Sequence, residues 1–197
     1  MEAIIPDYVT HYYLASRTPF LNLSDLSEKS LDPVIEHLAA ERQSGQTSRV
    51  FGRRYMELRR LTEQKLRRLF VEAGGIPLRE SPHYFVLGSS SWYQRLAKDT
   101  EHVTLDLVDL SEDATSITIP DSFTAMGLGE GFGLHVDPKP HHGKLYRLSE
   151  LTEVVEQYGM PVDEQVSNYA GYQYGPFEKY IEVQLWADGP VSRFLGA

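Results

Sequence analysis

Pro82-His83-Tyr84-Phe85-Val86-Leu87-Gly88-Ser89-Ser90-Ser91-Trp92-Tyr93 reads as a buried strand that runs into a Gly-Ser turn, with aromatic residues on both sides. Near the C-terminus, Lys179-Tyr180-Ile181-Glu182-Val183-Gln184-Leu185-Trp186 reads as its partner. There Ile181, Val183 and Leu185 alternate with Tyr180, Glu182, Gln184 and Trp186, and a period of two sends the two sets to opposite faces of a sheet. Glu182 therefore shares a face with two large rings. A carboxylate among rings in a sheet makes a candidate cleft; the alternative is a solvent-facing glutamate on an edge strand.

The other elements follow from the same periodicities. Tyr8 to Leu14 is β-rich and forms a first strand, and Val103, Leu105 and Leu107 alternate with polar residues in another. Ser116 to Ile119 is a short strand closed by Pro120, and Lys144 to Leu148 is a further one. Asp32-Pro33 reads as a cap and first turn for a helix carrying Val34, Ile35, Leu38 and Ala39. The clearest helix spans Gly52 to Ala73, with Tyr55, Leu58, Thr62, Leu66 and Leu69 on one face and a Gly74-Gly75 stop. A helix is expected from Ser89 to Lys98, and Ser149 opens one that ends at Gly159. Asp121 to Pro140 shows no periodicity and reads as a long loop, as does the Tyr-rich stretch from Asp163 to Pro176. The strand spacing is too irregular for a doubly wound fold. The expectation is a single α+β domain over residues 1–197, with a mostly antiparallel, curved or split sheet and three to four helices.

Composition narrows the chemistry. Cysteine is absent, so no disulfide, thiolate metal site or cysteine nucleophile exists. No apolar run reaches membrane-spanning length, and the N-terminus lacks a basic segment followed by an apolar one. A cytoplasmic, bacterial-type protein is expected. The net charge of −9 disfavours general nucleic-acid binding by the whole surface. Against that background, seven basic residues lie between positions 53 and 68, opposed there by Glu57 and Glu63 alone. Such a run is either a solvated face or a surface for a phosphate-bearing or acidic partner at Arg53, Arg54, Arg59 and Arg60.

Known site motifs are mostly missing. Gly127-Leu128-Gly129-Glu130-Gly131-Phe132-Gly133 lacks the Lys-Ser/Thr end of a P-loop and a strand–turn–helix frame. No Gly-x-Ser-x-Gly or His-Glu-x-x-His exists. His135, Asp137, His141 and His142 offer nitrogen and carboxylate ligands on one loop. Surface loops commonly carry such residues without an ion, and no metal is expected.

Four short pieces point further: Thr10-His11, Asn22-Leu23, His83-Tyr84-Phe85 with Ser89 and Tyr93, and Lys179 to Glu182. Their order resembles that in NAD-dependent ADP-ribosyltransferases, particularly the DNA-modifying DarT type. The resemblance implies His11 and Asn22 as NAD contacts, Glu182 as the catalytic carboxylate, and Tyr84 or Trp186 stacking on the nicotinamide ring. It also implies that the basic helix faces a phosphate-bearing acceptor. Gly88 stands about where that family carries an arginine. The other reading of the chain is a non-enzymatic, partner-binding or regulatory domain that uses the basic helix.

Overall fold

A computed structural model of the chain describes residues 4–133, 137–161 and 178–195. Its centre is a six-stranded sheet in which every neighbouring pair is antiparallel. The strands are β1 (Tyr8–Leu14), β2 (His83–Leu87), β3 (Thr100–Asp106), β4 (Thr115–Thr118), β5 (Tyr146–Arg147) and β6 (Glu182–Leu185), in the spatial order β3-β1-β2-β6-β4-β5. The helices among the described residues are α1 (Glu28–Gln43), α2 (Arg53–Glu72), α3 (Ser91–Gln94), α4 (Ser122–Ala125) and α5 (Leu151–Tyr158). Two of these five are single turns, so three longer helices accompany the sheet, and the chain is α+β as its patterning implies. None of the described helices is long and apolar enough to cross a membrane.

The two stretches that set the expectation, β2 and β6, do pair, with Phe85 opposite Val183 and Val86 opposite Glu182. β6 lies between β2 and β4, so Glu182 sits on an interior strand and the edge-strand alternative is overturned. The sheet is split in its strength. β1 pairs with β3 over its whole length, but it meets β2 only at Val9–Leu87 and Thr10–Val86. Beyond those two pairs β1 and β2 have no ladder to hold them together. Gly88 closes the junction: its amide donates to Tyr8 O, and its carbonyl accepts from Thr10 Oγ1 at 2.5 Å. Its φ of +67° belongs to the left-handed region, and a Cβ there would lie 2.7 Å from Pro6 Cγ. A glycine is required for backbone reasons at the place where the resembled family has arginine.

One face of the sheet packs Val9, Phe85, Leu105, Ile117, Val183 and Leu185 against Leu151, Val154 and Val155 of α5. On the other face Trp186 and Met126 pack on Leu66 and Phe70 of α2. Helix α2 matches its expected span, but the line it buries is Met56, Thr62, Glu63, Leu66 and Phe70, rotated from the expected stripe and containing a carboxylate. Helix α1 starts a turn earlier than expected, because Ser27 accepts the Ser30 amide and Pro33 is carried inside the helix. The expected helix from Ser89 to Lys98 shortens to α3, capped by Ser90. The stretch after Asp121 is not all loop: Asp121 caps α4, and a 3-10 turn follows at Leu128–Phe132. The expected loop at 163–176 lies outside the described residues.

Candidate functional site

A cavity of about 440 Å³ opens where β1 and β2 part, and His11, Asn22, Tyr84 and Glu182 all line it. The aromatic walls include Tyr12 stacked on Tyr93 at 5.2 Å, with Tyr180 edge-on to Tyr93 at 5.8 Å. Trp186, the other residue expected to stack on a ligand, is fully buried elsewhere. It stacks on Phe70 of α2 and donates Nε1–H to Ser116 Oγ, so that expectation is corrected. Its face is the predicted one, but α2 covers the end of β6 where it sits.

His11 is committed to the fold. Its Nδ1–H donates to Tyr84 O at 2.9 Å, and its Nε2 accepts the Phe20 amide at 3.0 Å. The first bond supplies a partner to β2 where the β1 ladder has ended, and the second fixes Phe20 in a left-handed backbone at φ 62°. Both ring nitrogens are used only in the neutral tautomer. Burial, which outweighs the Tyr84 bond, pushes the His11 pKa down to about 4. The unfolded chain therefore binds a proton that the fold rejects, and stability present above the ordinary histidine range is lost as pH falls. His11→Asn is expected to narrow the stability gap to wild type by about 2 kcal/mol between pH 7 and pH 5. Urea unfolding at the two pH values measures it, and a constant gap would remove His11 as the cause.

Asn22 and Tyr84 belong to a network centred on Glu63, which is only 2% exposed. Glu63 Oε1 accepts from Arg59 Nε at 3.0 Å and from Tyr84 OH at 2.8 Å, and Oε2 accepts from Ser81 Oγ at 3.1 Å. Asn22 Oδ1 accepts from Arg59 and from the Ser24 amide, while Nδ2 donates to Pro82 O. The Arg59 guanidinium also lies 5.0 Å from the centre of the Tyr84 ring. Burial and the Glu63 carboxylate hold the Tyr84 hydroxyl protonated well above the ordinary tyrosine range. These side chains shape the cavity wall while their polar atoms serve the chain itself.

Glu182 differs from the other three. It is 8% exposed; its Oε1 accepts the Ser122 amide at 3.3 Å and Gln184 Nε2 at 3.1 Å, and the Ser122 hydroxyl also bonds the carboxylate, which leaves acceptor capacity among its roughly four lone-pair sites. Burial, reinforced by the Asp121 carboxylate, pushes its pKa up to about 7. Asp121, 4% exposed, lines the same cavity and is itself pushed up to about 6 by burial, against hydrogen bonds from Thr124. Sequence reasoning missed Asp121. Its signal was an Asp-x-x-Thr cap pattern inside a stretch without period. Arg17 and Arg49 also reach the cavity, and Arg49 lies over the rings of Phe51 and Tyr93.

Most basic residues of the helix have acidic neighbours within the chain. Arg53 pairs with Glu28 and Asp32, Arg54 with Glu57, Arg59 with Glu63, and Arg60 with Glu28.

The histidine loop gathers on Glu178. His141 Nε2 and His142 Nε2 lie 2.8 and 3.4 Å from Glu178 Oε1, and Lys139 Nζ lies 2.6 Å from Oε2. The three candidate ligand atoms fall within 4.8 Å of one another. The Lys139 amide donates to His142 Nδ1 at 3.2 Å, so the proton of neutral His142 sits on Nε2, toward the carboxylate. That tautomer gives a cation no lone pair, and an ammonium already balances the carboxylate. The cluster acts as a clasp around Glu178. Asp137 is not part of it, and His135 lies outside the described residues.

No family model, curated protein or solved structure matches this chain.

Proposed function

We propose that the protein is an NAD-dependent transferase of the ADP-ribosyltransferase type, acting through Glu182. The observation that carries this reading is a buried carboxylate on an interior strand, with spare acceptor capacity, in a cavity of ligand size walled by aromatic rings. It is supported by the convergence of His11, Asn22, Tyr84 and Glu182 on that one cavity.

The chemistry follows from charge. When the bond from ribose C1′ to the pyridinium nitrogen breaks, the electron pair leaves with nicotinamide and positive charge develops on the ribose. Glu182, when ionised, accepts a hydrogen bond from a ribose hydroxyl and offsets that charge, as carboxylates do in glycoside cleavage. The acceptor's lone pair then forms the new bond to C1′ and its proton is released. His11, Asn22 and Tyr84 act by holding the walls; the Tyr84 ring keeps the Arg59 guanidinium over it.

Purified protein incubated with NAD is expected to gain thermal stability and to release nicotinamide, detected chromatographically. Absence of both the shift and the release would defeat this reading.

A further inference from the structure

The cavity places two carboxylates among four rings. Tyr180 lies two residues before Glu182, and Phe123 two residues after Asp121. Tyr180 and Phe123 join Trp92 and Tyr93 in one aromatic cluster, and all six residues line the cavity. Trp92 and Tyr180 approach to 6.2 Å between centroids. Asp121 caps α4, accepting the Thr124 amide at 3.1 Å and the Thr124 hydroxyl at 2.9 Å. Capping does not explain its charge, because asparagine caps a helix as well as aspartate does. A second buried negative charge beside Glu182 is unfavourable unless the two carboxylates share a proton or face a cation. Rings with carboxylates behind them are also the recurring recognition chemistry for delocalised organic cations.

We propose that Asp121 and Glu182, with Trp92, Tyr93, Phe123 and Tyr180, form a subsite selective for a planar aromatic cation, and that Asp121 is its specificity-determining residue. For the ligand's identity the inference rests on the transferase reading: the subsite takes the charged pyridinium of the oxidised dinucleotide and rejects the neutral dihydropyridine of the reduced one. Over pH 5–8 the selectivity follows the two carboxylates. Of the other charged groups on the walls, His11 and His83 are shifted down by burial and Tyr84 is shifted up. Arg17, Arg49 and Arg59 keep constant charge over this range.

Calorimetric titration with 1-methylnicotinamide and with nicotinamide tests the subsite, because the two differ mainly in methylation of the ring nitrogen, which turns the neutral ring into a delocalised cation. At pH 8 the cation is expected to bind at least tenfold tighter than the neutral amide. The ratio should fall toward one at pH 5, and several-fold at pH 8 in Asp121→Asn, which retains the cap. No binding of the cation at millimolar concentration, an unchanged ratio in Asp121→Asn, or a ratio independent of pH would each overturn the proposal. If Asp121→Asn does not fold, the pH series on the wild-type protein decides alone. Nicotinamide release from NAD is read separately. Cation preference without release defeats the transferase reading and leaves the subsite standing, whereas release without cation preference overturns the subsite alone.

Discussion

Glu182→Gln is expected to lower nicotinamide release from NAD by at least about a hundredfold while making the folded protein more stable at alkaline pH. The two effects come from one cause. Burial and the Asp121 carboxylate raise the Glu182 pKa from its ordinary 4.5 to about 7. Folding stability from the protonated form is complete below the unfolded pKa, near 4.5, and is lost as pH rises toward and through 7. Glutamine keeps an oxygen for the Ser122 amide and for Gln184 but never ionises. The stability advantage of the variant should therefore grow by about 2–3 kcal/mol between pH 5 and pH 8, which is roughly 5–10 °C in Tm for a chain of this size. Wild-type release should rise with pH along a limb near 7, the ionisation of the free carboxylate. Calorimetry at several pH values with a chromatographic assay checks both. A variant that is inactive and equally destabilised at every pH would mark Glu182 as a structural residue. A stabilised but fully active variant would remove it from the chemistry.

That coupling explains how far the sequence could be read. The alternation in Ile181 to Trp186 placed Glu182 on a ringed face, and β6 confirms the faces, because a period of two is a local property of the chain. The pairing of β2 with β6 was legible for the same reason: both are short apolar runs that need interior positions. What covers each face is not local. Tyr180 and Glu182 meet the cavity, while Trp186 on the same side meets Phe70, because Leu66 and Phe70 of α2 pack over that end of the strand. Glu63 was hidden more deeply. On a helix with seven basic residues it reads as a solvated counter-charge. Its burial depends on Ser81 and Tyr84, 18 and 21 residues downstream, which bring hydrogen bonds that no helical period encodes. The same holds for His11, whose partners are a carbonyl on β2 and the amide of a residue in left-handed backbone.

Glu63→Leu is expected to be the most destabilising single substitution behind the cavity wall, costing about 3–5 kcal/mol, because it leaves the largely buried charge of Arg59 without its carboxylate partner. It also leaves the Tyr84 and Ser81 hydroxyls without an acceptor. Against a total stability of about 5–15 kcal/mol for a typical domain, that is a large share. Arg59→Met should cost a comparable amount, since it abandons a carboxylate that is 2% exposed. The double variant Glu63→Leu/Arg59→Met should be much less damaging than the sum of the two. Removing both charges leaves no buried ion unpaired, and apolar side chains of similar volume replace a buried pair at little net cost. Urea unfolding of the four proteins yields the coupling directly. Single variants that each cost under about 1 kcal/mol, with an additive double, would show that the pair is solvated and does not hold the wall. If the coupling is large, the double variant also separates architecture from chemistry. It retains Glu182 and Asp121 but loosens Tyr84 and Asn22, so any loss of ligand affinity it shows reports the cavity wall, with the carboxylates untouched.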